Sequence, residues 1–351
     1  MSTLTMKFGG TSVGSAEAHR QAADIILEQA QHWDRLIAVV SAMRGVTNAL
    51  INGARTAASG DGQTYRAIVA DLRVRHYRAV DDLLTETGER ADVLASVDEA
   101  LDEFATLCHS VHVLGEVTPR AMDTISSLGE RINARILAAL LRQRGAKSVA
   151  VDATEVIVTD TTFQNAAPLM EQTRARAAAR LNPLLEQGII PIVTGFMGAT
   201  ENGITTTLGR GGSDYSGAIL GAVLDADEVW IFTDVDGVMS ADPRMVPDAR
   251  VIPVLSASEV GELAYFGAKI LHPQTIRPVI EQGIPLWVKN TFNPTFPGTR
   301  IVKTTENTNG TVKAVTAIKN LSMVTVEGRG MMGCLLYTSP SPRDRTRSRM
   351  P

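Results

Sequence analysis

Short apolar runs alternate with amphipathic stretches along most of this chain. The runs at 4–8, 36–41, 148–152, 189–195, 228–233 and 286–289 read as strands, and those at 36–41 and 189–195 are almost continuously apolar, as strands buried on both faces are. Between them, 16–30 places Ala22, Ala23, Ile26 and Ala30 on one side, while 132–142 and 168–186 repeat at helical spacing. Residues 64–115 are amphipathic with Arg, Asp and Glu interleaved, which marks solvated helix faces. A helical insertion over about 60–115 is therefore expected beside the sheet. Residues 196–198 are expected to turn after a strand, and Ser256 with Glu259 fits a capping box. Strand and helix alternate regularly, so the pattern predicts an α/β fold with a largely parallel sheet and helices on both faces.

The pattern then breaks twice. Residues 293–312 are rich in Pro, Thr, Asn and Gly and read as a linker. A new strand-like run, Val324-Thr325-Val326, follows, and after Cys334 periodicity stops among prolines and arginines. The 334–351 tail reads as non-native adaptor or vector sequence joined to a truncated frame, or as a natural disordered basic tail.

Composition adds limits rather than detail. A chain of 351 residues with 44% hydrophobic content has room for a large core, and a net charge of −4 leaves no global signature of nucleic-acid binding. Cys108 and Cys334 form no disulfide or zinc pattern. No signal peptide or membrane-length apolar run is visible, and the expected location is cytoplasmic.

The candidate chemistry lies at the predicted carboxyl ends of strands, where α/β proteins bind ligands. Residues 205–217 (TTTLGRGGSDYSG) make a Gly-rich loop that feeds a helix, with Ser213 as an expected N-cap, Asp214 in the first turn and Arg210 inside the glycine run. Lys7 ends the first strand just before Gly9 and Gly10, in a loop that is neither a Walker P-loop nor GxGxxG. Glu130, just before the 132–142 helix, is either a first-turn dipole partner or a carboxylate aimed at a ligand amine. Asp234 and Asp236 follow a strand, where a carboxylate suits either a ribose hydroxyl or ordinary turn chemistry. Arg244 sits in a turn, Lys269 is a second candidate phosphate ligand, and His272 before Pro273 reads as structural. His109 and His112, three apart without nearby carboxylates, read as unliganded, so no metal site is assigned.

Five stretches in order resemble the aspartate kinases of the amino-acid-kinase family: KFGGTS at 7–12, VSAM at 40–43, LGRGGSD at 208–214, TDVDG at 233–237 and GAKILHP at 267–273. The resemblance runs from residue 3 to about 333. It is nearest to the kinase half of fused aspartokinase–homoserine dehydrogenases or to a monofunctional relative. It implies a three-layer α/β sandwich with a mainly parallel sheet over 1–292. After the linker, an incomplete ACT-like α+β segment would begin at 313–333. If that segment is truncated, feedback inhibition by lysine or threonine is expected to be weak or absent.

The resemblance also implies roles. Lys7 would contact the transferred phosphoryl group, with Gly9, Gly10 and Ser12 offering donors to the nucleotide. Ser41, Glu130, Arg210 and Ser213 would seat L-aspartate, Glu130 taking its ammonium and Arg210 clamping its α-carboxylate. Asp214 would orient the lysine. Thr233 and Asp234 would hold adenosine, Arg244 and Lys269 would lie along the phosphates, and Met239 stands where many relatives carry a tyrosine. The implied substrates are L-aspartate and ATP, with Mg²⁺ carried on the nucleotide, giving 4-phospho-L-aspartate on the way to lysine, threonine and methionine. The intact parent would be a homodimer. Glutamate or carbamate as the substrate, or a non-catalytic amino-acid-binding chain, are the rival readings.

Overall fold

The computed structural model describes residues 1–268, 271–305 and 312–317. The elements run β1 (Thr3–Phe8), α1 (Ala16–Gln29), β2 (Arg35–Val40), α2 (Val46–Ala58), α3 (Thr64–Leu83), α4 (Thr87–Leu114), α5 (Pro119–Gln143), β3 (Ser148–Val151), β4 (Val158–Thr159) and α6 (Met170–Glu186). They continue with β5 (Ile190–Thr194), β6 (Met197–Thr200), β7 (Thr205–Thr207), α7 (Gly212–Val223), β8 (Glu228–Thr233), β9 (Val254–Ser256), α8 (Ala257–Tyr265), α9 (Pro273–Glu281), β10 (Leu286–Asn290) and β11 (Thr299–Val302). All lie in one compact unit, Met1–Thr316. Lys269, residues 318–333 of the ACT-like segment and the 334–351 tail lie outside the described residues.

The large sheet has eight strands in the order β3-β5-β2-β1-β8-β10-β11-β9. Every pair is parallel except β10 with β11. Alternation of side chains divides the core between the two faces. Leu4, Met6, Phe8, Leu36, Ala38 and Val40 pack towards α1 to α5. Ile37, Val39 and Val193 pack with α6 and α7 on the other face, and Val229, Ile231, Leu286 and Val288 pack with α7, α8 and α9. The result is the expected three-layer α/β sandwich. A small sheet, β4-β6-β7, stands beside it.

The order reverses at β1. Its chain neighbour β2 lies on one side, and β8, more than two hundred residues on, lies on the other in register, Phe8 opposite Phe232. In open sheets a crevice forms at such a switch point, outside the carboxyl ends of the strands.

Three sequence expectations need correction. The helix expected over 132–142 begins at Pro119, with Thr118 as N-cap accepting from the Ala121 N–H and proline at the first position. Glu130 is thus in mid-helix, and the dipole reading of it fails. Residues 196–198 are not simply a turn, because β6 starts at Met197 and only Phe196, at φ 72°, changes direction. The Pro- and Gly-rich stretch at 293–312 carries β11, which bridges β10 and β9. The glycine just before β11 permits this. Gly298 has φ +90°, and an added Cβ would come 2.2 Å from the Val288 carbonyl oxygen.

One close approach ties fold to site. A Cβ on Gly129 of α5 would lie 2.8 Å from Ala42 Cβ and 2.9 Å from Val46 Cγ1. The missing side chain lets α5 lie against the turn between β2 and α2. Gly129→Ala is expected to cost about 1–3 kcal/mol through overpacking, despite the better helix propensity of alanine. Chemical denaturation of the two proteins measures it, and an unchanged midpoint would contradict the packing argument.

Candidate active site

Lys7, Gly10, Ser41, Glu130, Arg210, Ser213 and Asp214 line one open cavity of about 580 Å³. They come from β1 and its following loop, the β2–α2 turn, α5, and the loop that opens α7. Lys7 points towards α7. It is 6% exposed, and its Nζ lies 2.5 Å from Asp214 Oδ1. Gly217, one turn after Asp214, makes room, since a Cβ there would sit 3.1 Å from Lys7 Cβ. A buried ammonium requires a partner of this kind.

The N-cap of α7 is Gly211 at φ +74°, with no side-chain cap, so Ser213 is the second helical residue and not the cap. The uncapped amide end faces the cavity beside Arg210, an arrangement that favours an anion. Ser213 packs where Gly195, after β5, has no side chain, a Cβ there lying 2.9 Å from Ser213 Cβ.

Glu130 is 3% exposed and its Oε2 has no hydrogen-bond partner. Burial pushes its carboxyl up to about 8, against the opposing pull of the Ala42 N–H and the Lys7 charge. A buried carboxyl with one free oxygen, near a cation but not paired with it, is poised to take a proton or a ligand cation.

The nucleotide candidates fall elsewhere. Thr233 ends β8 and Asp234 follows it, next to the Gly loop, which is joined to β8 by the Gly9 N–H donating to the Phe232 carbonyl at 3.1 Å. The Gly9 amide is therefore engaged. The Ser12 hydroxyl is also turned inward, donating to the Phe232 carbonyl at 3.3 Å and accepting from the Thr291 hydroxyl at 2.7 Å. Neither offers the free donor expected of it in this state. Met239 bridges to Val251, and Arg244 forks onto Asp242 at 2.6 and 3.0 Å. None of these lines the cavity. His272 is structural as expected, capping α9 through the Gln274 N–H.

Sequence reasoning missed Asp123, Asn133, Arg44 and Arg55. Asp123 lines the cavity wall and accepts from the Gln164 N–H and from both the N–H and hydroxyl of Thr207. Burial raises its pKa and those donors pull it back. Asp123, Ser126 and Glu130 all line the cavity at helical spacing, a signal legible only once the helix is begun at Pro119. Arg44 and Arg55 line the mouth.

The family model described as the amino acid kinase family matches residues 2–290. The chain belongs to this family. It is 36% identical over 335 residues to aspartokinase 1, chloroplastic, of Arabidopsis thaliana, covering 94% of this chain and 57% of that protein. It is also 36% identical to the bifunctional aspartokinase/homoserine dehydrogenase 1, chloroplastic, of Zea mays, covering 93% of this chain and 35% of the other. Its fold matches E. coli aspartokinase III in complex with aspartate and ADP with a TM-score of 0.79 at 32% identity, over 88% of this chain and 66% of that one. This amino acid kinase chain thus spans little more than half of the Arabidopsis protein and about a third of the maize one. Among the described residues, no helix is long and apolar enough to cross a membrane.

The shifted carboxyl has a consequence for stability. Glu130 takes its proton near pH 8 when folded and near 4.5 when unfolded, so the folded state binds the proton more tightly between these values. The contribution of Glu130 to stability must then fall as pH rises from about 4.5 to about 8, while buried His19 and His76, whose pKa values burial lowers, contribute with the opposite sign below about 6.5. Glu130→Gln removes this dependence. The variant is expected to melt level with the parent at pH 5 and above it at pH 8.5, read by thermal denaturation without ligands. A parent that melts higher at pH 8.5 would mean that the buried carboxylate is fully compensated.

Proposed function

We propose that this chain is the catalytic part of an aspartate kinase, transferring the γ-phosphoryl group of ATP to the β-carboxylate of L-aspartate. The observation that carries the reading is the free Glu130 oxygen in a cavity that also holds Lys7, Arg210 and the open end of α7. An α-amino acid offers the matching groups. Its ammonium meets Glu130, its α-carboxylate meets the Arg210 fork, and its side-chain carboxylate is left towards Lys7. The aspartokinase names of the relatives agree with this assignment.

The chemistry asks little of acids and bases. A side-chain carboxylate with an ordinary pKa of about 3.9 is ionised at neutral pH, so it attacks without a general base. One of its oxygens forms a bond to the γ-phosphorus as the bond to the β–γ bridging oxygen breaks, leaving ADP and an acyl phosphate, 4-phospho-L-aspartate. Positioning and charge neutralisation supply the rate. Lys7, oriented by Asp214, neutralises the transferring group. The α7 amides and the Gly10 backbone line the phosphate path. Thr233, Asp234, Met239 and Arg244 would take the adenosine and phosphates, and Lys269, outside the described residues, is assigned to the phosphates with them. ATP enters as its Mg²⁺ complex, the ion carried on the phosphates. Residues 1–292 form the kinase domain in this reading, and the ACT-like segment after it belongs to regulation in a dimeric parent.

The direct test is aspartyl hydroxamate formation from Mg-ATP, L-aspartate and hydroxylamine, with L-glutamate as control. Product from aspartate alone is expected. Lys7→Ala should lower kcat by about 10²–10³ while moving the ATP KM far less. Equal turnover in the variant would remove Lys7 from the mechanism.

Aspartate binding should also release a proton. A ligand ammonium beside Glu130 favours the carboxylate that burial disfavours. At pH 7 the release should approach about one proton per aspartate, and affinity should rise with pH up to about 8. Calorimetry in two buffers of different ionisation enthalpy reads this. Glu130→Gln should abolish the release, and release that persists in the variant would place the ammonium elsewhere.

A further inference from the structure

The peptide between Ser41 and Ala42 is held by α5. Its carbonyl oxygen, on Ser41, accepts from Asn133 Nδ2 at 2.6 Å. Its N–H, on Ala42, faces the Glu130 carboxylate and pulls its pKa down. Glu130 and Asn133 are three apart on α5 and so share a face. Asn133 in turn faces His19 of α1, with its Oδ1 2.7 Å from His19 Nε2. His19 Nδ1 lies 2.8 Å from the carbonyl of Ser15, the residue that caps α1 after the Gly loop. His19 and Asn133 are both fully buried.

Proton bookkeeping fixes the direction of this chain. The Ser41 carbonyl can only accept, so the Asn133 amide nitrogen must face it, and the Asn133 oxygen must face the histidine. His19 must then carry a proton on Nε2 for Asn133 to be held. Burial lowers the His19 pKa and so favours the neutral ring, whose single N–H is then on Nε2 towards Asn133, leaving Nδ1 unprotonated beside the Ser15 carbonyl.

We propose that His19 is a positioning residue for the amino-group seat. Through Asn133 it orients the Ser41–Ala42 peptide that serves both Ser41 and Glu130. His19 touches no substrate. It links the start of α1, at the end of the Gly loop, to the wall opposite. The inference rests on the aspartate reading of the cavity for its effect on substrate, but the clamp itself is a statement about one peptide unit. The two can therefore fail separately.

The test compares His19→Leu, His19→Gln and His19→Leu/Asn133→Ala with the parent. Leucine fills the space without a donor, whereas the glutamine amide can still donate to Asn133. In the hydroxamate assay His19→Leu should raise the aspartate KM about tenfold, the size of one buried hydrogen bond, with kcat and the ATP KM within about twofold. His19→Gln should recover most of the loss. The double variant should add little to His19→Leu, because both act on one peptide. An unchanged aspartate KM in His19→Leu, or a glutamine variant as impaired as leucine, would overturn the proposal, as would parallel rises in both KM values that track a lowered melting temperature. Hydrogen exchange across Ser41–Met43 reads the clamp without any substrate. Protection should fall in His19→Leu and return in His19→Gln, and protection that does not change overturns the clamp. If the parent makes no hydroxamate yet the exchange behaves as expected, the clamp stands and the kinase reading falls.

Discussion

A lysine ammonium held inside the molecule at the end of the central strand constrains everything around it. Lys7 is 6% exposed and has Asp214 at 2.5 Å. A pair so buried survives only with close geometry, because the desolvation penalty is set against a short-range attraction. Asp214 must therefore be delivered to one place, and α7 delivers it. The helix crosses beneath β1 with Gly217 bare against the lysine stem, and its first turn is set by Gly211 in a left-handed conformation. The strand order serves the same end. With β2 on one side of β1 and β8 on the other, the crevice opens beside Lys7 and not at an edge of the sheet.

The opposite wall is α5. It reaches the cavity at Asp123, Ser126 and Glu130 and reaches the β2–α2 turn at Glu130 and Asn133. Gly129 allows that approach, and the apolar remainder of α5 is buried among α1, α2 and α4. One face of one helix thus supplies a pinned acid, an acid with a free oxygen, and the amide that orients the turn between them. The pinned acid, Asp123, ties the small sheet to this wall through Thr207.

Much of this was readable in the sequence, and the failures have physical causes. Strand positions, the capping box at Ser256 and the glycine loops depend on local patterning, and they stand where expected. Lys7, Arg210 and Asp214 were legible because they adjoin glycines at strand or helix ends. Glu130 reads from sequence either as a first-turn dipole partner or as a carboxylate aimed at a ligand amine, and the first reading fails because α5 begins at Pro119, where buried Asp123, Ser126 and Ser127 interrupt the apolar series of Met122, Ile125 and Leu128. A helix that lines a polar cavity breaks the apolar period used to find it. Asn133 and His19 left no local signal, since their partners are 92 and 114 residues away. The strand β11 was hidden by Pro and Gly, whose usual meaning is overridden by pairing with β9 and β10. The resemblance implies Ser12 as a phosphate donor, but its hydroxyl closes onto β8 and Thr291.

The charge state of Glu130 links stability to selectivity. Burial pushes its carboxyl up to about 8, so at neutral pH the protonated form avoids most of the penalty of burying a charge. A ligand that brings an ammonium converts the carboxyl to a carboxylate and gains a buried ion pair with an additional hydrogen-bond acceptor. A dicarboxylate of the same shape without the ammonium leaves Glu130 protonated and gains neither. Under the proposed function, discrimination between an amino acid and its deaminated counterpart would rest on the change in protonation and not on shape.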